Sequence, residues 1–187
     1  MPELVEWVGG ASWHLFSRLE KISCTDCPML TTLLFSGWPI SSTEDNTIWF
    51  PSLCDLDIHR CPKLYLPPLP HTSKVSRIKT ECLAYDRSEL GIQMPYELLA
   101  FHNLGDVERL TIQDASCFSF MDLQKLHSLR HIKVSRCEET FLRGLDDGVV
   151  LHTVQTLELE HFSLTRKSLS NLFECFPALS SLDVSVS

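Results

Sequence analysis

The sequence predicts an α/β fold: a right-handed solenoid whose short parallel strands form a concave sheet, with irregular loops and helices on the convex side. Three observations predict it. An apolar pattern recurs along the chain, a cysteine follows several copies at a fixed distance, and some intervening segments have apolar residues at helical spacing. Residues 1–187 are expected to form this single domain of about seven irregular repeats.

The recurring pattern is apolar-x-x-apolar-x-apolar, and its copies begin at Leu19, Leu53, Val75, Val107, Leu129, Val154 and Leu179. The intervals between these residues are 34, 22, 32, 22, 25 and 25. The last position of the pattern is weak in two copies, where it is Cys24 and Thr80. Repetition at such intervals is the signature of a leucine-rich-repeat solenoid.

Each copy predicts one short strand, since its second and third apolar residues alternate at period two and share one face. Parallel stacking then places the central residues in one buried row, which includes Leu56, Ile78, Leu110, Ile132 and Leu157. Outward residues of the same register put Asp57 beside Lys79 and Lys133 beside Glu158. Such opposite-charge neighbours stabilise a sheet by ~0.2–1 kcal/mol each, whereas Glu158 beside Asp183 is mildly unfavourable.

The turn after the strand is predicted from cysteines eight residues after the first apolar residue of a copy. These are Cys27, Cys61 and Cys137, at the Asn/Cys position of a leucine-rich repeat. Two of them continue as Cys-Pro, and proline ends a strand because it cannot donate to a ladder. Leu83 and Ala115 occupy the same position in the third and fourth copies, which predicts less regular turns there.

The returns between strands contain three predicted helices. Residues 166–176 have four apolar side chains at helical spacing, and shorter candidates lie at 94–101 and 121–127. Residues 36–51, with their glycine, proline and serines, are expected to form a loop on the convex side.

The eight cysteines are interpreted as reduced thiols of a cytoplasmic protein, several of them in the core as small hydrophobic groups. The opening MPELVEWVGG lacks the basic start and apolar run of a signal peptide, and the chain has no Asn-x-Ser/Thr sequon. An alternative is a zinc site on Cys24, Cys27, His59 and Cys61. The repeat explains the same cysteines as core and turn residues, so no metal is expected.

Other classes of function are disfavoured by composition and motifs. A net charge of −8 argues against nucleic acid, whose binding depends on neutralising phosphates. No apolar stretch approaches the ~20 residues that cross a bilayer, so no membrane partner is expected. Motifs of zinc proteases, serine hydrolases and dinucleotide-binding enzymes are missing from the sequence, which favours a binding module without cofactor or catalytic residues.

Two units carry a resemblance to a known family. FPSLCDLDIHRCPKLYLPPLP, residues 50–70, and FSRLEKISCTDCPMLTTL, residues 16–33, resemble the irregular C-terminal leucine-rich repeats of plant intracellular nucleotide-binding (NLR) disease resistance proteins, the cereal coiled-coil type in particular. The opening MPELVEW also resembles a piece that follows a strand in those receptors, so Met1 is interpreted as an internal residue and the chain as a fragment of a longer receptor.

The resemblance implies a protein-binding module of plant defence. Its partner would be a pathogen effector, a guarded host protein or the receptor's own nucleotide-binding domain. Nucleotide binding itself is not implied, because the chain has no Gly-x-x-x-x-Gly-Lys-Ser/Thr motif. An F-box-type leucine-rich-repeat adaptor for ubiquitin ligation is the alternative, since its repeats also run near the 22, 25 and 25 residues of the last three intervals.

The candidate partner-binding residues are the outward residues of the predicted strands. They are Asp55, Asp57 and His59 on the second strand, Arg77 and Lys79 on the third, Arg130, His131, Lys133 and Arg136 on the fifth, and Glu158 and Glu160 on the sixth. The third and fifth strands would form basic stripes and the others acidic or mixed ones. We expect them to steer and orient a protein ligand, although the same residues would also serve only to solvate an exposed sheet.

Overall fold

The computed structural model describes residues 6–9, 18–35, 52–61, 64, 74–81, 105–113 and 120–186. They contain nine strands, numbered β1 to β9: Glu6–Gly9, Lys21–Thr25, Thr32–Phe35, Asp55–His59, Arg77–Glu81, Arg109–Gln113, His131–Ser135, Thr156–Glu160 and Ser181–Ser185. They also contain a 3₁₀ helix, Phe120–Lys125, and two α-helices, α1 (Glu138–Asp146) and α2 (Arg166–Cys175).

Seven strands form one parallel sheet in the order β2-β4-β5-β6-β7-β8-β9. The strands of this large sheet therefore lie side by side in the same order as they occur along the chain. The other two strands, β1 and β3, form a separate parallel pair with Glu6 opposite Thr32 and Gly9 opposite Phe35. The predicted α/β class with a parallel sheet is confirmed, although the apolar pattern indicated neither strand of the small pair.

The central apolar residues of the seven strands lie in one continuous row. In sheet order the row contains Ile22, Leu56, Ile78, Leu110, Ile132, Leu157 and Leu182. All are buried except Leu182, which lies on the edge strand and is only partly buried. The predicted register is confirmed, and each fully buried aliphatic side chain contributes about 1.5–3 kcal/mol of transfer free energy.

A second inward row lies two residues further along each strand. It contains Cys24, Ile58, Thr80, Ile112, Val134, Leu159 and Val184. Of its two weak positions, Cys24 is buried and Thr80 is half-buried. The first residue of the pattern is also buried in the five inner copies, so all three apolar positions contribute to one core.

Helix α2 confirms the helix predicted at residues 166–176. Thr165 precedes it in extended conformation, and the Thr165 Oγ1 accepts a hydrogen bond from the Ser168 backbone N–H at 3.1 Å. This is the N-cap arrangement that satisfies one free donor of the first turn. Leu172 and Cys175 on the helix are buried, which attaches it to the core of the large sheet.

Helix α1 was not predicted from the sequence. Its Phe141 ring packs edge-on against Phe162, with ring centroids 5.4 Å apart, and stacks on Phe176 at 6.4 Å. At its last residue, the Asp146 Oδ1 accepts a hydrogen bond from the Asn171 Nδ2 of α2 at 2.8 Å. Tertiary contacts with two aromatic rings and with α2 therefore stabilise this helix.

The remaining returns agree less well with the expected helices. The segment predicted at 121–127 is a 3₁₀ helix at Phe120–Lys125. The helix expected at 94–101 and the loop expected at 36–51 lie outside the described residues. In the part of the chain that the structure describes, no helix has both the length and the hydropathy needed to cross a membrane.

Replacing Leu157 by alanine is expected to cost about 2–5 kcal/mol of unfolding free energy, because the side chain is fully buried between two strands of the row. The matched control is Leu182→Ala in the same row, where the side chain is partly buried and the expected loss is smaller. Urea unfolding followed by circular dichroism measures both. Equal losses in the two variants would contradict the partial burial of Leu182 on this edge strand.

Candidate protein-binding face

The outward side chains of the large sheet form the sheet face, which is the surface predicted to bind a partner. On β4, Asp55, Asp57 and His59 are half-buried and alternate with the buried Leu56 and Ile58. The alternation arises because successive side chains of a strand point to opposite sides of the sheet. Burial of the apolar rows therefore forces the charged residues onto one exposed surface.

Asp55 is the centre of the first charged cluster on the sheet face. Its Oδ2 lies 3.7 Å from the Lys21 Nζ of β2 and 3.3 Å from the Arg77 Nη2 of β5. The strand register produces these contacts, since Lys21, Asp55 and Arg77 are direct neighbours on three adjacent strands. Lys21 was not among the predicted site residues, although extending the register by one strand would have identified it.

Lys133 is the centre of the second charged cluster. Its Nζ lies 3.4 Å from the Glu158 Oε2 and 2.6 Å from the Glu160 Oε1, while the His131 Nε2 lies 3.3 Å from the Glu158 Oε1. The hydrogen bond to Glu160 raises the pKa of Lys133 above its ordinary value, against the opposing effect of burial. Lys133 therefore stays charged at neutral pH and is held between two carboxylates.

These contacts modify the predicted pattern of basic and acidic stripes. Arg77 of the expected third-strand stripe is bound to Asp55, and Lys133 of the fifth-strand stripe is bound to Glu158. Each contact joins side chains of opposite charge across neighbouring strands, worth ~0.2–1 kcal/mol at such partly exposed positions. The paired residues therefore orient one another, and the free positive charge of the face lies elsewhere.

Three exposed cations provide that free positive charge, and we call them the central cations: Lys79 on β5, Arg109 on β6 and Arg130, which directly precedes β7. Within the described ranges no ion pair joins any of them to a carboxylate, even though Asp57 is the strand neighbour of Lys79. Arg109 was not predicted as a site residue. Its place opposite Arg77 on the next strand is the signal that would have identified it.

Two residues assigned to the fifth predicted strand lie beyond its ends, and that assignment is wrong for them. Arg130 precedes β7, and its carbonyl accepts hydrogen bonds from the backbone N–H groups of Gln155 and Thr156. Arg136 follows β7 with a φ of 55°, in the left-handed region that ends the extended chain. Arg136 therefore lies in the turn at the end of the sheet face and not on the strand.

Asp57 combines a half-buried side chain with an unsatisfied atom. Its Oδ1 is buried and has no hydrogen-bond partner among the residues that the structure describes. Buried carboxylate oxygens are usually hydrogen-bonded, because losing water without a replacement donor is costly. The side chain with this unsatisfied oxygen is the strand neighbour of Lys79, one of the central cations.

The turns that follow the strands repeat one backbone conformation. Asp26, Arg60, Arg136 and His161 each come directly after a strand and have φ values of 52°, 51°, 55° and 63°. Residues with side chains adopt this conformation at a cost of roughly 1–2 kcal/mol, so surrounding contacts must hold it in place. The repeated turn places these four polar side chains along one end of the large sheet.

The predicted turn cysteines supply those contacts. The thiols of Cys27, Cys61 and Cys137 each donate to the carbonyl oxygen two residues earlier, at 3.4, 3.3 and 3.0 Å. All three are buried, so their placement in the turn after the strand is confirmed. Phe162 occupies the equivalent buried position after β8, whereas the positions of Leu83 and Ala115 lie outside the described residues.

Burial also decides the chemistry of the thiols. Desolvation, with smaller contributions from Cys61, Cys27 and Asp57, raises the pKa of Cys24 to about 11. Burial likewise raises the pKa of Cys61 and of Cys175. Thiolates are the reactive and metal-binding form, and raised pKa values disfavour them. Within the described ranges, no group of three His, Cys, Asp or Glu side chains is placed to hold a metal ion.

Comparison of the chain with family models, curated proteins and solved structures finds no match. The likeness of residues 16–33 and 50–70 to plant receptor repeats therefore remains a hypothesis.

Alkylation should distinguish Cys24 from an ordinary cysteine. With a pKa of about 11, its thiolate fraction at pH 8 is roughly a hundredfold below that of a thiol titrating near pH 9, so iodoacetamide should modify it very slowly in the native chain. Mass spectrometry of proteolytic peptides measures the rate at Cys24. The same chain in urea is the control, and equal rates in the two states would contradict the buried placement.

Proposed function

We propose that this chain is the leucine-rich-repeat region of a plant intracellular nucleotide-binding immune receptor of the cereal coiled-coil type, and that it recognises proteins in the defence response. The observation that carries the proposal is the charged sheet face, held in one register across seven parallel strands. The unit sequences at 16–33 and 50–70 supply the link to the receptor family.

Three features support a right-handed leucine-rich solenoid with its strands on the concave side. The strands of the large sheet follow chain order, their apolar residues share continuous rows, and the same left-handed turn recurs after four of them. In such a solenoid each repeat contacts its neighbours, and the strands together offer an extended surface to a partner. A surface of this kind suits binding to a protein better than catalysis in an enclosed pocket.

The charges of the sheet face favour a partner with an acidic surface. The central cations Lys79, Arg109 and Arg130 are exposed and have no ion pair within the described residues, although the whole chain has a net charge of −8. Of the three, Arg109 lies between the two paired clusters, opposite Arg77 of the first and His131 of the second. A local positive group between fixed pairs steers an acidic partner and sets its orientation.

Receptor control would follow from differential binding. A ligand that binds the released arrangement better than the resting one shifts the receptor population toward release. In such a mechanism this chain binds the partner, which is an effector, a guarded host protein or the receptor's own nucleotide-binding domain.

The gene provides the first test. Sequencing the coding region upstream of Met1 is expected to reveal a nucleotide-binding domain with its Gly-x-x-x-x-Gly-Lys-Ser/Thr motif. An F-box segment there would establish the alternative, a substrate adaptor for ubiquitin ligation, which the last intervals of 22, 25 and 25 residues favour. If the upstream region encodes neither segment, both interpretations are overturned.

The binding test uses the nucleotide-binding domain encoded by the same gene, with surface plasmon resonance as the measurement. The double variant Lys79→Glu, Arg109→Glu is expected to lower the association rate several-fold and to weaken its dependence on salt, because it reverses two exposed cations of the face. Lys167→Glu is the matched control. It makes one such charge reversal, half the charge change of the double variant, on helix α2, where the lysine lies 3.4 Å from the Asp146 Oδ1. Equal association rates for the double variant, the control and the unaltered chain would contradict the proposed face.

A further inference from the structure

The outward side chains of the large sheet lie in rows, because parallel strands in register hold equivalent residues side by side. In sheet order, the first outward row contains Lys21, Asp55, Arg77, Arg109, His131, Thr156 and Ser181. Asp55 is the single carboxylate of this row, and it lies against Lys21 and Arg77. Arg109 therefore has no carboxylate on either side of it in the row.

Arg109 occupies an electrostatically unfavourable position. Its strand neighbours are Arg77 on β5 and His131 on β7. Like charges directly opposite one another destabilise a sheet, and the two arginines are such a pair. Arg109 is exposed and makes no ion pair with the residues that the structure describes. An anion bound at Arg109 would relieve this repulsion, so the position indicates a negatively charged ligand.

A second cation and a hydroxyl group lie one step further along the same two strands. Lys79 follows Arg77 on β5 and lies opposite Thr111, which follows Arg109 on β6. Lys79 is exposed, and Thr111 is half-buried between the inward Leu110 and Ile112. Diagonal neighbours of this kind are ~7–8 Å apart, within reach of long side chains. Lys79, Arg109 and Thr111 can therefore converge on one compact anion, and we call these three residues the anion site.

The charge of the anion site decides which anion fits it. Lys79 and Arg109 supply two positive charges, and neither makes an ion pair within the described ranges. An aspartate or glutamate of a partner supplies one negative charge, whereas a phosphorylated side chain supplies about −1.5 to −2 at pH 7 and three strong acceptor oxygens. A phosphate group therefore matches both cations and leaves an oxygen for the Thr111 hydroxyl. Its hydrogen bonds to the two cations are charge-assisted, and thus stronger than those between neutral groups.

Carboxylates on both sides limit the size of the ligand. Asp55 and Asp57 lie on β4, beyond one side of the anion site, and Glu158 and Glu160 lie on β8, beyond the other. Neighbouring strands are about 4.8 Å apart, so the positive region is only as wide as β5 to β7. A nucleic acid or an anionic membrane surface would meet these carboxylates and a chain of net charge −8. A single phosphate on a protein segment avoids them.

We infer that Lys79, Arg109 and Thr111 bind a phosphorylated serine, threonine or tyrosine of the partner protein. This inference rests on the proposed function, the binding of a protein to the sheet face, and specifies the group that the face recognises. Arg109 provides a planar set of donors, Lys79 a point charge and Thr111 a hydroxyl donor. Clusters of cations are a recurrent means of recognising phosphorylated motifs. Phosphorylation of the partner therefore controls its binding to this face.

The test uses the complete 187-residue chain and three capped peptides, acetyl-GGXGG-amide, in which X is phosphoserine, glutamate or serine. These probes carry no other charge, so they isolate the contribution of the phosphate. NMR titration in a phosphate-free buffer follows the backbone amides of Lys79, Arg109 and Thr111. The phosphoserine peptide should shift all three resonances and bind about tenfold more tightly than the glutamate peptide, because it adds a second charge and a further acceptor. The serine peptide should not bind.

A substitution in the anion site is the second readout. Arg109→Gln should lower the affinity for the phosphoserine peptide about tenfold and reduce its preference over the glutamate peptide, because one of the two cations is lost. Arg166→Gln is the matched control, since it makes the same change at the exposed first residue of α2, away from the sheet face. It should leave both affinities unchanged. Both arginines are exposed, so both variants should keep the circular dichroism spectrum of the unaltered chain.

Vesicles that contain phosphatidylserine distinguish a membrane from a phosphorylated protein as the source of the anion. The chain should not sediment with them, because carboxylates lie on both sides of the anion site. Sedimentation of the chain with the vesicles would assign the site to a membrane and overturn the inference.

Three results with the peptides would also overturn it. One is no binding of the phosphoserine peptide at millimolar concentration. Another is equal affinity for the phosphoserine and glutamate peptides. The third is an equal loss of affinity in Arg109→Gln and Arg166→Gln.

The proposed binding face is tested separately, by the association of the nucleotide-binding domain with the chain. If that association depends on Lys79 and Arg109 while the phosphoserine and glutamate peptides bind equally, the binding face stands and phosphate recognition fails. If the peptides are distinguished but the domain associates equally with all variants, phosphate recognition stands and the domain is not the partner.

Discussion

Parallel stacking in a single register is the constraint on which the rest of this structure depends. A five-residue strand cannot enclose its own aliphatic side chains, but Leu110 and Ile132 are fully buried because each lies between matching residues of two neighbours. A shared carbonyl before each strand, from Glu20 to Gln155, accepts two N–H groups of the next strand and holds the register. A slip of one residue would carry every aliphatic side chain to the wrong side of the sheet.

The same register decides the electrostatics of the sheet face. Since the inward positions are apolar, each strand presents its charged residues outward at the same height as those of its neighbours. Lys133 thereby reaches both Glu158 and Glu160, and Asp55 reaches cations on two strands. Pairing leaves the central cations as the available positive charge of the surface. Recognition on such a face depends less on the number of charges than on which of them the neighbouring strands have already neutralised.

The turns give three cysteines of the chain a structural role. A left-handed residue after the strand reverses the chain, and a buried thiol donating to a strand carbonyl supports the reversal at Cys27, Cys61 and Cys137. A small, weakly polar group suits this position because it fills the core and still satisfies a backbone acceptor. Where Phe162 replaces the cysteine, its ring packs against Phe141 of α1 instead.

The seven strands of the large sheet, their inward rows, the turn cysteines and helix α2 could be predicted from the sequence, because each depends on a local period or spacing that burial reinforces. It did not indicate β1, β3 or α1. Helix α1 contains Gly144, which lowers its intrinsic propensity, and is stabilised by aromatic contacts with residues distant in the chain. Likewise the outward charges could be predicted from alternation, whereas their pairing and the free state of Arg109 depend on side-chain contacts across strands. Those contacts form only when segments distant in the chain pack together, so no local sequence pattern could predict them.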